Sequence, residues 1–136
     1  MVSLEAWAHA TWSSMHYIAL GYPEHPTAQD RLNYKLFFQS LGAVLPCKKC
    51  SNNYETHLLE LPIDAYLING DKLFEWTIKV HNIVNKENGK PEWTVERAKN
   101  HYLHSDKYSY DLSHIIYVVM LLLLIIACFM IWRRYK

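Results

Sequence analysis

The stretch Asp71-Lys72-Leu73-Phe74-Glu75-Trp76-Thr77-Ile78-Lys79-Val80-His81-Asn82-Ile83-Val84-Asn85-Lys86 decides the fold. Leu73, Trp76, Val80 and Ile83 recur three or four residues apart, the spacing of one face of an α-helix. Asn88-Gly89-Lys90-Pro91 supplies the stop, because glycine suits the position after a helix and proline cannot continue one. Working outward, the same period runs from Leu4 to Leu20 and halts at Gly21-Tyr22-Pro23. Thr27 with Asp30 resembles a capping box and starts a helix carrying Leu32, Leu36, Phe37, Leu41 and Val44. Pro46 ends that helix and opens a third, from Cys47 to about Glu60, before Leu61-Pro62 breaks the chain again. Thr94 can cap a short fifth helix reaching about His104. No segment alternates with period two. The expectation is an all-α domain over residues 1–104, a four-helix bundle with a short fifth helix.

The end of the chain has a different composition. Ser105 to Asp111 is polar and reads as a linker, whereas no residue from Ile115 to Trp132 is charged. A bilayer span takes about 20 apolar residues, so 112–132 reads as a single transmembrane helix, followed by the basic tail 133–136. The other reading, a fully buried core helix, fails on size, since so small a domain could hardly wrap it. The start, Met1-Val2-Ser3-Leu4-Glu5, lacks the basic and apolar regions of a signal peptide. Two arguments on orientation conflict. The positive-inside tendency keeps the basic tail cytosolic, but a span at the end of a chain without a signal peptide is inserted after synthesis. The second is preferred, leaving the soluble domain of a single-pass protein on the cytosolic side. A net charge of +1 over 136 residues argues against a nucleic-acid partner, and three cysteines are too few for a disulfide scaffold.

Cys47-Lys48-Lys49-Cys50 carries the sharpest chemical signal. Positions i and i+3 share a helix face, so the two sulfurs can bond to each other. The helix N-terminus and the two lysines favour thiolate, the nucleophile of disulfide exchange. Competing readings are a zinc site, a thioredoxin-like motif and a pair of inert thiols. Zinc would need ligands as distant as His101 and His104, and thioredoxin would need strands, so no metal site is expected. A redox pair needs an electron acceptor. Trp12 and His16 lie one turn apart on the first helix, and His81, Asn82 and Asn85 cluster on the fourth, with Trp76 upstream and Lys86, Lys90 and Trp93 downstream. A flat aromatic ligand with a diphosphate would use such rings, amides and cations. Taken singly, Trp7 and Trp76 read as core, and His25 and His57 as ordinary surface or core histidines.

In these residues the chain resembles the Erv/ALR FAD-linked sulfhydryl oxidases. Three blocks carry the resemblance. Trp12-Ser13-Ser14-Met15-His16 with Ala19 and Tyr22-Pro23 is similar to W-x-x-L-H-x-x-A-x-x-Y-P, and Pro46-Cys47-Lys48-Lys49-Cys50 with Tyr54 to P-C-x-x-C before an aromatic. His81-Asn82-Ile83-Val84-Asn85 with Gly89-Lys90-Pro91 resembles H-N-x-V-N and the G-K-P that follows it. The resemblance implies a helical bundle, commonly a homodimer, holding FAD through Trp12, His16, Tyr22, Tyr54, Trp76, His81, Asn82, Val84, Asn85, Lys86, Lys90 and Trp93. It also implies Cys47 as the sulfur attacked by a substrate dithiol and Cys50 as the flavin-proximal one, with electrons passing to FAD and on to O₂ as hydrogen peroxide.

The family's cellular members carry a second, mobile C-x-x-C and a structural disulfide, whereas this sequence has only Cys128 besides its pair. A separate dithiol protein, thioredoxin-like or a virion component, is therefore expected to dock directly at Cys47. Trp93 stands where a family cysteine often does. A minimal domain with one pair and an anchor resembles the versions encoded by large cytoplasmic DNA viruses. This implies the first step of a cytosolic disulfide pathway for virion proteins, at a host or virion membrane. The alternative is a membrane-tethered zinc-binding or inactive adaptor domain.

Overall fold

In the computed structural model, which describes residues 3–135 and the side chains outside 105–112, each helix begins where a side chain can cap it. Ser3 accepts from the Ala6 amide at the head of α1 (Leu4–Leu20). Thr27 and Asp30 form a full capping box at the head of α2 (Ala28–Val44), and the same contacts hold the Asp30 carboxyl below its ordinary pKa. Leu45 is extended, as a residue before proline must be, so α2 ends there. The Cys47 sulfur caps α3 (Lys48–Glu60), and Asn69 caps α4 (Gly70–Glu87). Gly89 takes a positive φ of 64° beyond α4, which glycine adopts without strain.

α4 is the axis of the bundle. It packs along α1 and touches α3, while α2 lies against α3. Leu73, Phe74, Trp76, Thr77, Ile78 and Val80 are all buried, so more of its circumference is covered than the face Leu73–Trp76–Val80 predicts, and Ile83 is only half-buried. The reason is that α1, α3 and residues 63–66 all contact it. Phe38 of α2 closes the core with an edge-to-face contact on Trp76, ring centroids 5.1 Å apart. Gly70 marks a close approach: a Cβ there would sit 2.9 Å from the Tyr22 carbonyl oxygen, so the start of α4 abuts the chain leaving α1.

Two elements differ from expectation. Ile63–Tyr66 forms a short 3₁₀ turn after Pro62, where the sequence reads only as a break. The fifth helix does not end near His104: α5 runs from Val95 to Arg134, through the stretch read as a linker. Polar composition alone does not stop a helix, and residues 105–111 contain neither glycine nor proline. Thr94 caps α5 by accepting from the Arg97 amide. By contacts the chain divides into a unit up to Lys99, which holds the bundle, and a second from Asn100 onward. Within the second, Ser113–Arg134 is long and apolar enough to cross a membrane, and its apolar side chains are exposed. Among the described residues no strand is present, so the all-α class holds.

Candidate active site

Cys47 and Cys50 are joined in a disulfide at the N-terminus of α3. Pro46 keeps the preceding chain extended, and Cys47 is itself extended, so its sulfur turns back over the first turn to lie 3.2 Å from the Cys50 amide. Both cysteines are half-buried, and Lys48 and Lys49 are exposed with no ion pair among the described residues. Reducing the bond would leave sulfur where the helix dipole and two free cations stabilise a negative charge.

A second cluster forms where α1 meets α4. His16 is fully buried, its Nδ1 2.9 Å from Thr77 Oγ1 and its Nε2 3.1 Å from His81 Nδ1. The Trp12 indole lies flat on His81, centroids 4.1 Å apart and planes within 3°. The edge of Phe74 closes the far side of His16. Burial, then the neighbouring His81, pushes the pKa of His16 down to about 3. Burial, then Lys90 and His9, pushes that of His81 down to about 4. Both imidazoles are neutral near pH 7.

Next to His81 in sequence, the Asn82 amide donates to the Trp93 carbonyl at 2.8 Å and accepts from the Trp93 amide at 2.9 Å. This two-way brace positions the Trp93 indole, over which the Arg97 guanidinium sits at 4.8 Å. Val84 is half-buried and Asn85 buried, its carbonyl holding the Lys90 amide at 2.8 Å. Lys86 and Lys90 point to solvent on this rim.

The remaining sequence-predicted residues lie deeper. Tyr22 and Tyr54 are buried, donating to the carbonyls of Leu67 and Phe38, and burial raises both phenol pKa values. Trp76 has no exposed surface and donates its indole N–H to the Leu61 carbonyl. The structure therefore brings Trp12, His16 and His81 into direct contact and Asn82 and Trp93 into another, and sets Tyr22, Tyr54 and Trp76 in the core. Sequence reading missed Thr77, whose hydroxyl is buried under His16; its only signal was its place one turn before His81. It also passed over His57, which is buried on α3 and reaches Glu87 of α4 at 2.9 Å, while its Nδ1 has no partner. Among the described residues no three or more His, Cys, Asp or Glu side chains gather as metal ligands, so the zinc reading gains nothing.

A neutral stacking platform, a braced indole and two uncommitted lysines fit a flat aromatic ligand with phosphates; the half-buried disulfide at a helix end fits a thiol. Comparison with known proteins agrees. Residues 9–103 match the Erv1/Alr family. Over 98 residues the chain is 44% identical to a probable FAD-linked sulfhydryl oxidase of Acanthamoeba polyphaga mimivirus, covering 71% of this chain and 68% of that one. It is 32% identical over 97 residues to the FAD-linked sulfhydryl oxidase ERV1 of Arabidopsis thaliana, spanning half of that protein's length. The FAD-binding domain of Erv1 from Saccharomyces cerevisiae shares the fold, with a TM-score of 0.70 at 24% identity over 75% of this chain and 95% of that one. The chain belongs to the Erv1/Alr family.

Proposed function

We propose that this protein is an FAD-linked thiol oxidase that makes disulfides in dithiol substrates. The observation that carries the reading is the Cys47–Cys50 disulfide at a helix N-terminus in an Erv1/Alr domain. A substrate thiolate attacks Cys47 Sγ, the Cys47–Cys50 bond breaks, and Cys50 leaves as a thiolate at the start of α3. The second substrate thiol then attacks the mixed disulfide and releases the oxidised substrate with Cys47 reduced. Two electrons and two protons have moved onto the pair. FAD, when bound, supplies the two-electron acceptor between this dithiol and O₂, which becomes hydrogen peroxide. Trp12, His16, His81, Asn82, Lys86, Lys90 and Trp93 would hold it: rings to stack, amides to brace, lysines for the diphosphate. Tyr22, Tyr54, Trp76, Val84 and Asn85 would support that pocket from within.

The purified full chain should be yellow in detergent and should consume O₂ with dithiothreitol, its flavin band bleaching as thiol is added. A folded, colourless protein that neither takes up added FAD nor consumes O₂ would overturn the reading.

Direct docking of a thioredoxin-like or virion dithiol protein at Cys47 is supported by the lack of a second cysteine pair within these 136 residues. Residues 1–104 form the oxidase domain, Ser113–Arg134 tethers it, and the domain faces the cytosol of a cell whose host or virion membrane bears the anchor. The mimivirus relative supports a viral disulfide pathway. Homodimerisation is supported by the exposed Leu32, Leu36 and Phe37 on α2. Blue native electrophoresis and protease protection of the intact membrane protein test these two arrangements.

A further inference from the structure

Thr77, His16 and His81 form a line of polar groups running outward from the backbone of α4. Thr77 Oγ1 lies 2.8 Å from the Phe74 carbonyl, His16 Nδ1 lies 2.9 Å from Thr77 Oγ1, and His16 Nε2 lies 3.1 Å from His81 Nδ1. A hydroxyl has one proton, and a neutral imidazole one N–H. Both histidines are neutral, for the burial reason given above. Only two proton arrangements then link the line. In the first, Thr77 donates to the Phe74 carbonyl, His16 Nδ1–H to Thr77, and His81 Nδ1–H to His16 Nε2: three hydrogen bonds. In the second, Thr77 donates to His16 Nδ1 and His16 Nε2–H to His81 Nδ1: two hydrogen bonds, because the single hydroxyl proton no longer serves the Phe74 carbonyl. Thr77 and His16 are fully buried, where water cannot replace a missing bond, so the first arrangement is favoured.

That arrangement leaves His81 Nε2 without a proton. Among the described residues nothing hydrogen-bonds to this nitrogen, and it is not a sealed, unpartnered atom, so it is open to a ligand. Trp12 covers one face of the same ring.

We propose that Thr77 is a positioning residue. Acting through His16, it holds His81 in the Nδ1–H form, so that the site offers a lone pair at His81 Nε2 and selects a flat ligand with an N–H donor on its edge. The choice of ligand rests on the thiol-oxidase reading. FAD has two such donors, the adenine amine and the N3–H of the isoalloxazine.

The test uses full-length protein in detergent, labelled with ¹⁵N-histidine and freed of ligand, with His81 assigned by the signals that disappear in His81→Asn. In the wild type and in Thr77→Ser, the spectrum should show His81 protonated at Nδ1 and bare at Nε2. In Thr77→Val, it should show a mixture of the two tautomers. A proton on His81 Nε2 in the wild type would overturn the proposal, and this holds even if Thr77→Val fails to fold. An unchanged tautomer in folded Thr77→Val would do the same. The second readout is the affinity of the ligand-free protein for FAD, for its hypoxanthine analogue and for its N3-methyl analogue, followed by flavin fluorescence. One analogue should bind roughly three- to tenfold more weakly than FAD, and Thr77→Val should narrow that gap. Equal binding of all three, or a gap unaffected by Thr77→Val, would remove the selecting role. Failure to bind FAD at all would instead undo the oxidase reading, while the ligand-free tautomer stands or falls separately.

Discussion

The two candidate regions of this domain differ in almost every physical respect. The head of α3 is half-exposed and cationic, its reactive bond at the end of a helix. The junction of α1 and α4 is largely buried, neutral and stacked, its two imidazoles kept uncharged by burial. The contrast follows from what each must meet. A disulfide that exchanges with another protein must be reachable, and its product thiolate needs positive potential nearby. A platform for a flat ligand needs fixed rings and fixed proton positions, which burial provides.

The largest effect should separate the regions outright. Cys50→Ser is expected to abolish thiol-dependent O₂ consumption while leaving flavin binding intact. Removing so short a disulfide loop should cost about 2 kcal/mol in stability, readable as a lower urea midpoint. Flavin loss in this variant would show that the regions are not independent. Next in size is Trp76→Ala, which removes the indole between α4 and the Leu61 carbonyl and should cost about 3–5 kcal/mol in chemical unfolding. A cost under about 1 kcal/mol, on the order of a surface change, would contradict the core placement.

Acid should attack only the neutral region. His16 and His81 titrate near 3 and 4 in the folded chain, against an ordinary value of 6.5. Below 6.5 the unfolded chain takes up protons that the folded chain refuses. Stability from this source is therefore intact above pH 6.5 and is lost as the pH falls toward 4, by up to about 1.4 kcal/mol per pH unit for each histidine. In His81→Asn the decline in urea midpoint should be shallower; an equal slope would trace it to other groups. Charge reversal, Lys48→Glu with Lys49→Glu, should touch only the other region. Turnover of acidic dithiol peptides should fall a few-fold at low salt, and the gap should close near 1 M salt, where screening acts within about 3 Å. The smallest effect is Cys128→Ser, an exposed free cysteine in the apolar helix, for which O₂ consumption should be unchanged.

The same two regions were unequally legible in the sequence. Helix starts were readable at the Thr27 and Thr94 caps, though the Ser3 and Asn69 caps went unread, and stops were readable where proline or glycine forces one, as at Pro46 and Gly89. The 3₁₀ turn at Ile63 and the passage of α5 through 105–111 carry no such punctuation. The cysteine pair is local chemistry, three residues apart, and its disulfide was open to reading from spacing alone. The histidine platform is not local: His16 and His81 stand 65 residues apart. Thr77 was invisible for a further reason, since a threonine inside a helix ordinarily bonds its own backbone, and here it does that and holds a histidine as well. His57 and Glu87 joined across two helices in the same unadvertised way.

Gly70 gives this geometry a mechanical reading. The space its missing side chain leaves is closed by the Tyr22 carbonyl, so the foot of α4 bears directly on the exit of α1. His81 stands about three turns further along the same rigid rod. A methyl group added at the foot acts as a wedge under a lever: the contact cannot yield at backbone, so the rod must pivot or slide. The histidine spacing is thus exposed to a contact that touches neither ring. Tolerance at the platform is machined at the far end of the beam.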